Sequence, residues 1–152
     1  MPEYPPLICG IDPGASGGIS FLSMDSSFSI AYPMPTTEWD TCELLSEYQP
    51  SIRKACIEAV HAFPGQGVTA MFSFGRNYGF LRGILIALQI PLLEVAPQKW
   101  KRDLGLKFTA QDSKKDKKNG SKQLAQQWFP SLKITHATAE ALLIAEWGRR
   151  RS

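Results

Sequence analysis

The sequence feature that most constrains the fold is a short apolar run close to the start of the chain. Leu7–Ile11 has the length of a buried strand and ends directly in a carboxylate, Asp12, which a Pro-Gly turn and a second glycine pair follow. Another short apolar run begins after those glycines. Because a carboxylate at the end of a buried strand costs free energy unless a partner balances its charge, we expect a metal ion or a phosphate-bearing ligand to approach Asp12 across the turn.

The length of 152 residues predicts one domain, residues 1–152, that is large enough to bury a core. No segment approaches the roughly 18 apolar residues that a membrane span needs, and residues 1–6 lack the features of a secretory signal. We therefore expect no membrane partner and a soluble intracellular location, in the cytoplasm or nucleoid, or in an organelle nucleoid if the sequence is a mature form. The cysteines have no CxxC spacing and are expected to be reduced, mostly buried thiols rather than zinc ligands: Cys9, Cys42 and Cys56.

The net charge is only +3, but the basic residues are concentrated in the second half of the sequence. Such a distribution is expected to hold a polyanion such as a nucleic acid, although a lysine-rich run is also commonly a solvated loop. The basic residues of this half that support the prediction are Lys99, Lys101, Arg102, Lys107, Lys114, Lys115, Lys117, Lys118, Lys122, Arg149, Arg150 and Arg151.

The order of apolar runs and turn signals predicts an α/β domain with five strands. The first three strands are joined by tight turns and are expected to form an antiparallel meander. Three glycines spaced by four residues lie on one stripe of a long predicted helix, where another helix, a second subunit or a nucleic-acid strand could approach: Gly75, Gly79 and Gly83. The predicted elements are strands at 7–12, 17–23 and 28–32, a helix at 38–48 capped by Thr37, a buried strand at 52–60, a helix within 68–89, a buried strand at 92–95, a helix beginning at Pro97, a mobile loop at 107–120, a short helix at 121–129, and a last helix from Thr135 or Thr138 to Arg150.

Three acids on three different predicted elements each interrupt an apolar surface: Asp12, Glu58 and Glu140. His136 lies on the same helical face as Glu140, four residues earlier. Carboxylate clusters suit Mg²⁺ or Mn²⁺, and two such ions about 3.5–4 Å apart can hold a phosphodiester, activate water and stabilise the leaving 3′ oxygen. His136 would complete the metal shell or orient the attacking water. Taken singly, each acid can also be a helix cap, a buried ion pair or a solvated strand end.

With these motifs, the chain resembles the RuvC-type Holliday junction resolvases of the RNase H-like superfamily. The resemblance extends over nearly the whole chain and is strongest to the phage and chloroplast (monokaryotic-chloroplast type) branch. The residues that carry it are Ile11-Asp12-Pro13-Gly14 with Ser16-Gly17, Ile57-Glu58, Gln66-Gly67-Val68, Phe72-Ser73-Phe74-Gly75, Tyr78-Gly79, Trp100-Lys101, the Lys- and Ser-containing run before Phe129-Pro130, and His136 followed by Ala139-Glu140-Ala141-Leu142-Leu143-Ile144-Ala145.

The resemblance implies an RNase H-like mixed sheet, an antiparallel meander plus parallel strands, flanked by helices. It also implies a homodimer that nicks two strands of a four-way DNA junction symmetrically with Mg²⁺, for which Mn²⁺ is expected to substitute. Carried over, the catalytic and metal-binding set is Asp12, Glu58, His136 and Glu140. Many resolvases have an aspartate three residues before the last acid, where this chain has Ala137; in the chloroplast-type pattern a histidine one position earlier takes that role, as His136 does here.

The stretch from Gln66 to Arg82 and the lysine run are the expected DNA contacts. Phe72, Phe74 and Tyr78 could stack on bases opened at the crossover, while Arg76 and Asn77 could contact base edges or phosphates. The alternative is that these aromatic residues belong to the core or to a dimer interface, which suits Phe72 better than Tyr78. The residues predicted to bind DNA are Phe74, Arg76, Asn77, Tyr78, Lys101, Lys114, Lys115, Lys117, Lys118 and Lys122.

Three other functions remain open. An actin-like or sugar-kinase-like ATPase has a first phosphate loop similar to the opening motif, but that fold requires a duplicated domain and a second phosphate loop. A non-catalytic junction-binding protein is favoured if Ala137 marks a lost ligand. A less selective RNase H-like nuclease is the alternative nearest to a junction resolvase.

Overall fold

The computed structural model describes residues 3–62 and 64–152. A mixed sheet of five strands is flanked by five α-helices. The elements are β1 (Leu7–Asp12), β2 (Gly18–Ser23), β3 (Ser29–Pro33), α1 (Glu38–Tyr48), a 3₁₀ turn (Gln49–Ser51), β4 (Ile52–Glu58), α2 (Val68–Ala87), β5 (Leu92–Val95), α3 (Pro97–Asp103), α4 (Lys114–Trp128) and α5 (His136–Arg149).

The strands lie in the order β3-β2-β1-β4-β5. The first three form the predicted antiparallel meander, and β4 and β5 add to it in parallel with β1. Ile11 of β1 lies opposite Ile57 of β4, so the next residue of each strand ends at the same edge of the sheet. This register places Asp12 and Glu58 side by side in the fold, and the predicted mixed five-stranded sheet is confirmed.

Each face of the sheet has its own apolar core. Consecutive residues of β1 point to opposite faces, because side chains alternate along a strand. Leu7, Cys9 and Ile11 pack with α1 and α2, whereas Ile8 packs with α3, α4 and α5. The two buried cysteines that the sequence predicts, Cys9 and Cys56, are free thiols in these cores, and Cys42 is half-buried.

Helix α5 lies directly on the backbone of β1 and β2. A Cβ atom at Gly10 would stand 2.3 Å from the carbonyl oxygen of Ala141 and 2.5 Å from the amide nitrogen of Ala145, so only glycine allows this approach. Ser20 Oγ donates a 2.7 Å hydrogen bond to the same Ala141 oxygen. Thr138–Gly148 is buried throughout, and α5 is therefore held against the sheet along most of its length.

The predicted mobile loop at 107–120 is wrong over its second half, because α4 already begins at Lys114. The side chain of Ser113 accepts from the amide of Asp116 at 3.0 Å, and the Asp116 carboxylate accepts from the amide of Ser113 at 3.2 Å. This capping box starts the helix, and Gly120 inside it costs only about 1 kcal/mol. The predicted helix at 121–129 is the second half of α4.

The prediction of a buried strand at 92–95 needs a similar correction. β5 is the edge strand next to β4, and only Val95 is buried, while Leu93 and Glu94 are exposed. Four residues are too few to distinguish an edge strand from a central one by pattern. By contrast, α1 and α5 begin where predicted, each with a threonine side chain that caps the first turn: Thr37 and Thr135.

The glycine stripe of α2 faces open space. A Cβ atom at Gly75, Gly79 or Gly83 would meet nothing within 4 Å in the described chain. No partner among residues 3–62 and 64–152 therefore explains the stripe, and the second subunit or nucleic-acid strand that the sequence suggests stays a prediction. Within residues 3–62 and 64–152, every helix is too short or too polar to cross a membrane.

Candidate active site

Three of the four predicted site residues lie close enough for their charges to interact. Asp12 and Glu58 end the neighbouring parallel strands β1 and β4, and Glu140 lies on α5, which crosses the same strands. Asp12 and Glu140 are 6% and 4% exposed, and Glu58 is half-buried. Repulsion from Glu58 and Glu140 contributes to the pKa of Asp12, so the three carboxylates act on one another.

Asp12 has the most strongly shifted pKa of the three carboxylates. Burial is the main cause, because it removes the water that stabilises the charged form, and the negative charges of Glu58 and Glu140 add to it. Lys118 and Lys101 oppose the shift only in part, and the pKa of Asp12 is raised to about 8. A carboxylate in this position favours a proton, or a cation that replaces the proton.

Glu140 has two cationic partners and a hydroxyl donor. Burial by itself would raise its pKa, but Lys101 and Lys118, with hydrogen bonds from Lys118 and Ser121, lower it below the ordinary value. Lys118 Nζ lies 3.0 Å from Oε1, Lys101 Nζ lies 3.6 Å from Oε2, and Ser121 Oγ donates to Oε2 at 3.0 Å. Glu140 is therefore held charged by side chains from α3 and α4.

Glu58 has a different kind of partner, an indole. Trp100 is fully buried, and its Nε1 donates a 2.8 Å hydrogen bond to Glu58 Oε2. Burial raises the pKa of Glu58, and the indole hydrogen bond opposes part of that shift. The Trp100 indole thus fixes one oxygen of the carboxylate.

None of these contacts was predicted from the sequence: Lys101 and Lys118 were expected to contact DNA, and Trp100 and Ser121 were not assigned a role at the acids. Ser121 lies three residues after Lys118 on α4, so both reach Glu140 from one helical face. The signal for this pairing was the Ser113–Asp116 capping box, because it places residues 114–121 on a helix.

His136 differs from the three acids in its exposure and its contacts. It is exposed at the first position of α5, and within the described residues its side chain makes no ion pair or hydrogen bond with Asp12, Glu58 or Glu140. The helical spacing that relates it to Glu140 is correct, but His136 is exposed at the first position of the helix, whereas Thr138 and the residues that follow it to Gly148 are buried. Its role as a metal ligand stays a prediction.

The carboxylate oxygens of the three acids suit a divalent cation, but Lys101 and Lys118 occupy Glu140, which would be one of the metal ligands. If all three carboxylates were ionised, the two lysines would leave a net negative charge among these oxygen donors, and for that reason Asp12 favours a proton or a cation. As the side chains stand, no three His, Cys, Asp or Glu residues in the described ranges are close enough together to hold one metal ion. Metal binding at Asp12, Glu58 and Glu140 would therefore require Lys101 and Lys118 to leave Glu140.

The aromatic residues expected to contact DNA differ in their surroundings. Phe74 lies over the turn after Asp12, because a Cβ atom at Gly14 would be 3.0 Å from its ring. Tyr78 is half-buried against the core, whereas Phe72 is 71% exposed. The expectation that Phe72 is a core residue more readily than Tyr78 is therefore wrong. Its alternative, that Phe72 lies in a dimer interface, stays a prediction. The rotation of α2 between Phe72 and Tyr78 explains the difference, because residues six apart are separated by about 120° around a helix and so meet different surroundings.

Arg76 and Asn77 line a groove between α2 and the start of α1. Arg76 lies 3.9 Å from Glu38, and both side chains are largely solvated, so this pair contributes little to stability. Trp39 lines the same groove and is 86% exposed, the most exposed large apolar side chain of the described chain. The sequence analysis did not single out Trp39.

The two basic regions predicted to hold a polyanion also differ. Lys114, Lys115, Lys117 and Lys122 lie on α4 and make no ion pair with the described residues. The terminal arginines instead serve the fold: Arg149 and Arg150 bind Glu146, and Arg151 binds Asp103 at 2.6 Å. The expectation that these arginines face a polyanion is not supported by their contacts.

The sheet order and the placement of the helices define an RNase H-like fold. No protein-family model and no curated protein sequence matches the chain.

Solved structures match it over nearly their whole length, at identities that show the fold alone. RuvC of Thermus thermophilus in complex with a Holliday junction substrate has a TM-score of 0.65 at 13% identity and covers 97% of this chain and 96% of its own. A second structure of Thermus thermophilus RuvC has a TM-score of 0.65 at 14% identity, covering 95% and 96%. The resolvase of Fowlpox virus in complex with its substrate Holliday junction DNA has a TM-score of 0.56 at 12% identity, covering 95% and 97%.

Proposed function

We propose that the chain is a structure-selective endonuclease that resolves four-way DNA junctions by paired, metal-dependent nicks. The observation that carries the proposal is the set of three mutually coupled carboxylates, Asp12, Glu58 and Glu140, where β1 and β4 end. An excess of buried acid over nearby cations favours a divalent metal ion, and carboxylate-held metal ions promote phosphodiester hydrolysis. The fold is that of junction resolvases solved with their DNA, which supports a junction as the substrate.

The chain's own residues would divide the work. Asp12, Glu58 and Glu140 would hold Mg²⁺ or Mn²⁺, which when bound would activate water and stabilise the leaving 3′ oxygen. Trp100 would keep Glu58 oriented through its 2.8 Å hydrogen bond. Lys101 and Lys118 are proposed to exchange the Glu140 carboxylate for DNA phosphates, and His136 is proposed as a further ligand.

The remaining expectations belong to the same proposal. Paired nicks on two strands require two active sites, so the functional unit is a homodimer, and the chain belongs with the phage and chloroplast branch of resolvases. The uncovered glycine stripe of α2 leaves room for a second subunit. The residues proposed to contact DNA are Phe74, Arg76, Asn77, Tyr78, Lys101, Lys114, Lys115, Lys117, Lys118 and Lys122.

A nicking assay on a synthetic mobile four-way junction tests the proposal. Symmetrical cuts on two strands with Mg²⁺, and none with chelator, are the expected result. Duplex, flap and RNA–DNA hybrid substrates of matched sequence serve as controls. Equal cutting of all substrates would favour a less selective RNase H-like nuclease and contradict junction resolution.

One observation favours a non-catalytic junction-binding protein instead. Glu140 is neutralised by two lysines, and His136 lies on the surface. Tight junction binding with no cutting in Mg²⁺ or Mn²⁺ would establish this second function. An ATPase has no such observation in its favour.

A further inference from the structure

A basic pocket lies beside the acid site, between α3, the segment after it and α4. Its volume is about 440 Å³, which is within the range of pockets that hold small ligands. Four cations line it, and the wall between them is apolar: Lys101, Arg102, Lys107 and Lys117, with Leu106 and Phe108. No acidic residue of the described chain lines the pocket.

The pocket and the acid site share one side chain. Lys101 Nζ lies 3.6 Å from Glu140 Oε2 and also 5.8 Å from the centre of the Phe108 ring. Lys117 lines the pocket and is followed directly on α4 by Lys118, which binds Glu140 at 3.0 Å. A molecule that fills the pocket therefore extends to the edge of the carboxylate cluster.

The pocket carries positive charge that the protein does not balance. Arg102 has only a 3.9 Å contact with Asp103, and its side chain is 72% exposed. Lys107 and Lys117 make no ion pair within residues 3–62 and 64–152. Unpaired cations around a concave surface attract an anion, and phosphate is the anion that a DNA-binding chain meets most often.

The apolar wall of the pocket depends on a close contact with α4. A Cβ atom at Gly120 would lie 3.0 Å from one ring carbon of Phe108, so the missing side chain makes room for the ring. Leu106 packs against the buried core beneath. An aromatic ring held in place beside cations is the combination that binds a base or sugar together with its phosphate.

We propose that this pocket receives one nucleotide of the bound DNA strand next to the cut. Its phosphate lies among Arg102, Lys107 and Lys117, and its base or sugar lies against Phe108 and Leu106. The inference rests on the proposed DNA substrate, but it concerns a site outside the carboxylates. It assigns binding to three residues that the lysine run does not include: Arg102, Lys107 and Phe108.

The test uses full-length protein in chelator and four-way junctions that carry 2-aminopurine at one position at a time near the crossover. Wild type should raise the fluorescence at one position, because a nucleotide in the pocket leaves the base stack. Phe108→Leu should remove that rise, and Lys107→Gln should weaken binding roughly five- to tenfold. Lys133→Gln is the matched control, because Lys133 is an exposed lysine outside the pocket and should bind like wild type.

A neutral methylphosphonate at the reporting position adds a second reading. It should weaken junction binding by wild type, and wild type and Lys107→Gln should then bind with equal affinity, because the methylphosphonate and the substitution remove the same contact. Gly120→Ala should displace the Phe108 ring and reproduce the loss of fluorescence, and thermal melting separates this effect from unfolding.

The outcomes separate the pocket from the proposed function. The pocket is overturned if no position becomes fluorescent and if Lys107→Gln and Phe108→Leu bind junctions as tightly as wild type. This holds even if the wild type cuts junctions. If the wild type neither prefers nor cuts junctions, the same reporters in single-stranded DNA decide the pocket alone: a Phe108-dependent signal supports it, and its absence overturns it.

Discussion

Helix α5 carries two buried glutamates that differ in their partners and surroundings. Glu146, 8% exposed, is bound by Arg149 at the end of α5 and by Arg150 directly after it, three and four residues further on. Glu140, 4% exposed, is bound by lysines from two other helices, Lys101 of α3 and Lys118 of α4. The two sites are less than two helical turns apart, yet only Glu140 lies among further acids.

The difference shows how a buried acid that serves the fold can be distinguished from one that is proposed to hold a metal ion. At Glu146, two arginines serve one carboxylate, and guanidinium groups remain charged and form directed pairs. At Glu140, two lysines serve three carboxylates, and the pKa of Asp12 is raised to about 8 by burial and by its acidic neighbours. The first site has more cations than carboxylates, whereas the second has more carboxylates than cations, so a proton or a metal ion must neutralise the remaining acid.

The largest expected effect is a difference in junction cutting between variants of Glu140 and of Glu146. Asp12→Asn, Glu58→Gln or Glu140→Gln should each lower junction cutting by about a thousandfold or more, because each removes a proposed metal ligand. Junction binding should remain, since the shape of the site hardly changes. Rates are measured in single-turnover nicking assays with Mg²⁺, and binding by mobility shift in chelator.

Glu146→Gln is the matched control, because it makes the same substitution on the same helix outside the site. It should keep cutting at a temperature at which it is folded. Unreduced cutting by any one of the three acid variants would remove that residue from the active site, and inactivity of folded Glu146→Gln would contradict the distinction.

The next effect separates the same acids by stability. Since the folded pKa of Asp12 lies well above its unfolded value, the buried acid destabilises the fold at pH 7 by up to about 4 kcal/mol. Asp12→Asn should therefore raise the melting temperature in chelator, by roughly 10 °C at that limit. Glu146→Gln should lower the free energy of unfolding by about 1–3 kcal/mol, because it leaves two arginines unpaired.

Added Mg²⁺ extends this comparison without an activity assay. A metal ion that binds the folded chain stabilises it, so Mg²⁺ should raise the melting temperature of wild type but not of Asp12→Asn. Equal shifts in both proteins would show that the ion binds elsewhere.

The pH dependence has a definite sign. Below about pH 4 Asp12 is protonated in both states and contributes nothing; as pH rises towards about 8, only the unfolded chain releases the proton. Wild type in chelator should lose stability over that interval, and Asp12→Asn should lose less. The check is urea unfolding at a series of pH values; parallel curves for the two proteins would contradict the raised pKa.

A smaller effect compares the two basic regions. Neutralising Lys114, Lys115, Lys117 and Lys118 together should weaken binding to all DNA and flatten the dependence of affinity on salt by about three to four counterions. Arg150→Gln, in the balanced region, should leave the slope unchanged because Arg150 is bound to Glu146. An unchanged slope in the lysine variant would exclude α4 as a phosphate contact.

The smallest effect concerns the indole that orients Glu58. Trp100→Phe removes the hydrogen bond that lowers the pKa of Glu58, so that pKa should rise further. Cutting should fall a few-fold at acidic pH and recover at alkaline pH. A uniform loss at both pH values would indicate a packing defect instead.

The sequence predicted the positions of the three acids better than the side chains that contact them. The strand ending in Asp12, the acid within the next parallel strand and the acid on the face of the last helix follow from local patterns, because each interrupts an apolar run. Lys118 and Ser121 were not predicted as partners of Glu140, since a pairing across 19 to 22 residues depends on where α4 begins.

Exposure was the least predictable property. Phe72 is apolar and lies on a helix, yet it faces outward, because nothing in periodicity alone tells which stripe of a glycine-rich helix meets the sheet. β5 was misjudged for a related reason: its position at the edge is set by the order of the other strands.

The absence of a side chain at Gly10 has a consequence for how the site can change over generations. Since α5 touches the main chain of β1 directly, no packing layer between them can thicken or thin to adjust the spacing of the two acids. Asp12 is two positions away on the strand, and Glu140 adjoins Ala141 on the helix. A single methyl group at position 10 would push the helix outward and carry Glu140 away from Asp12, although all three acids would still be present in the sequence.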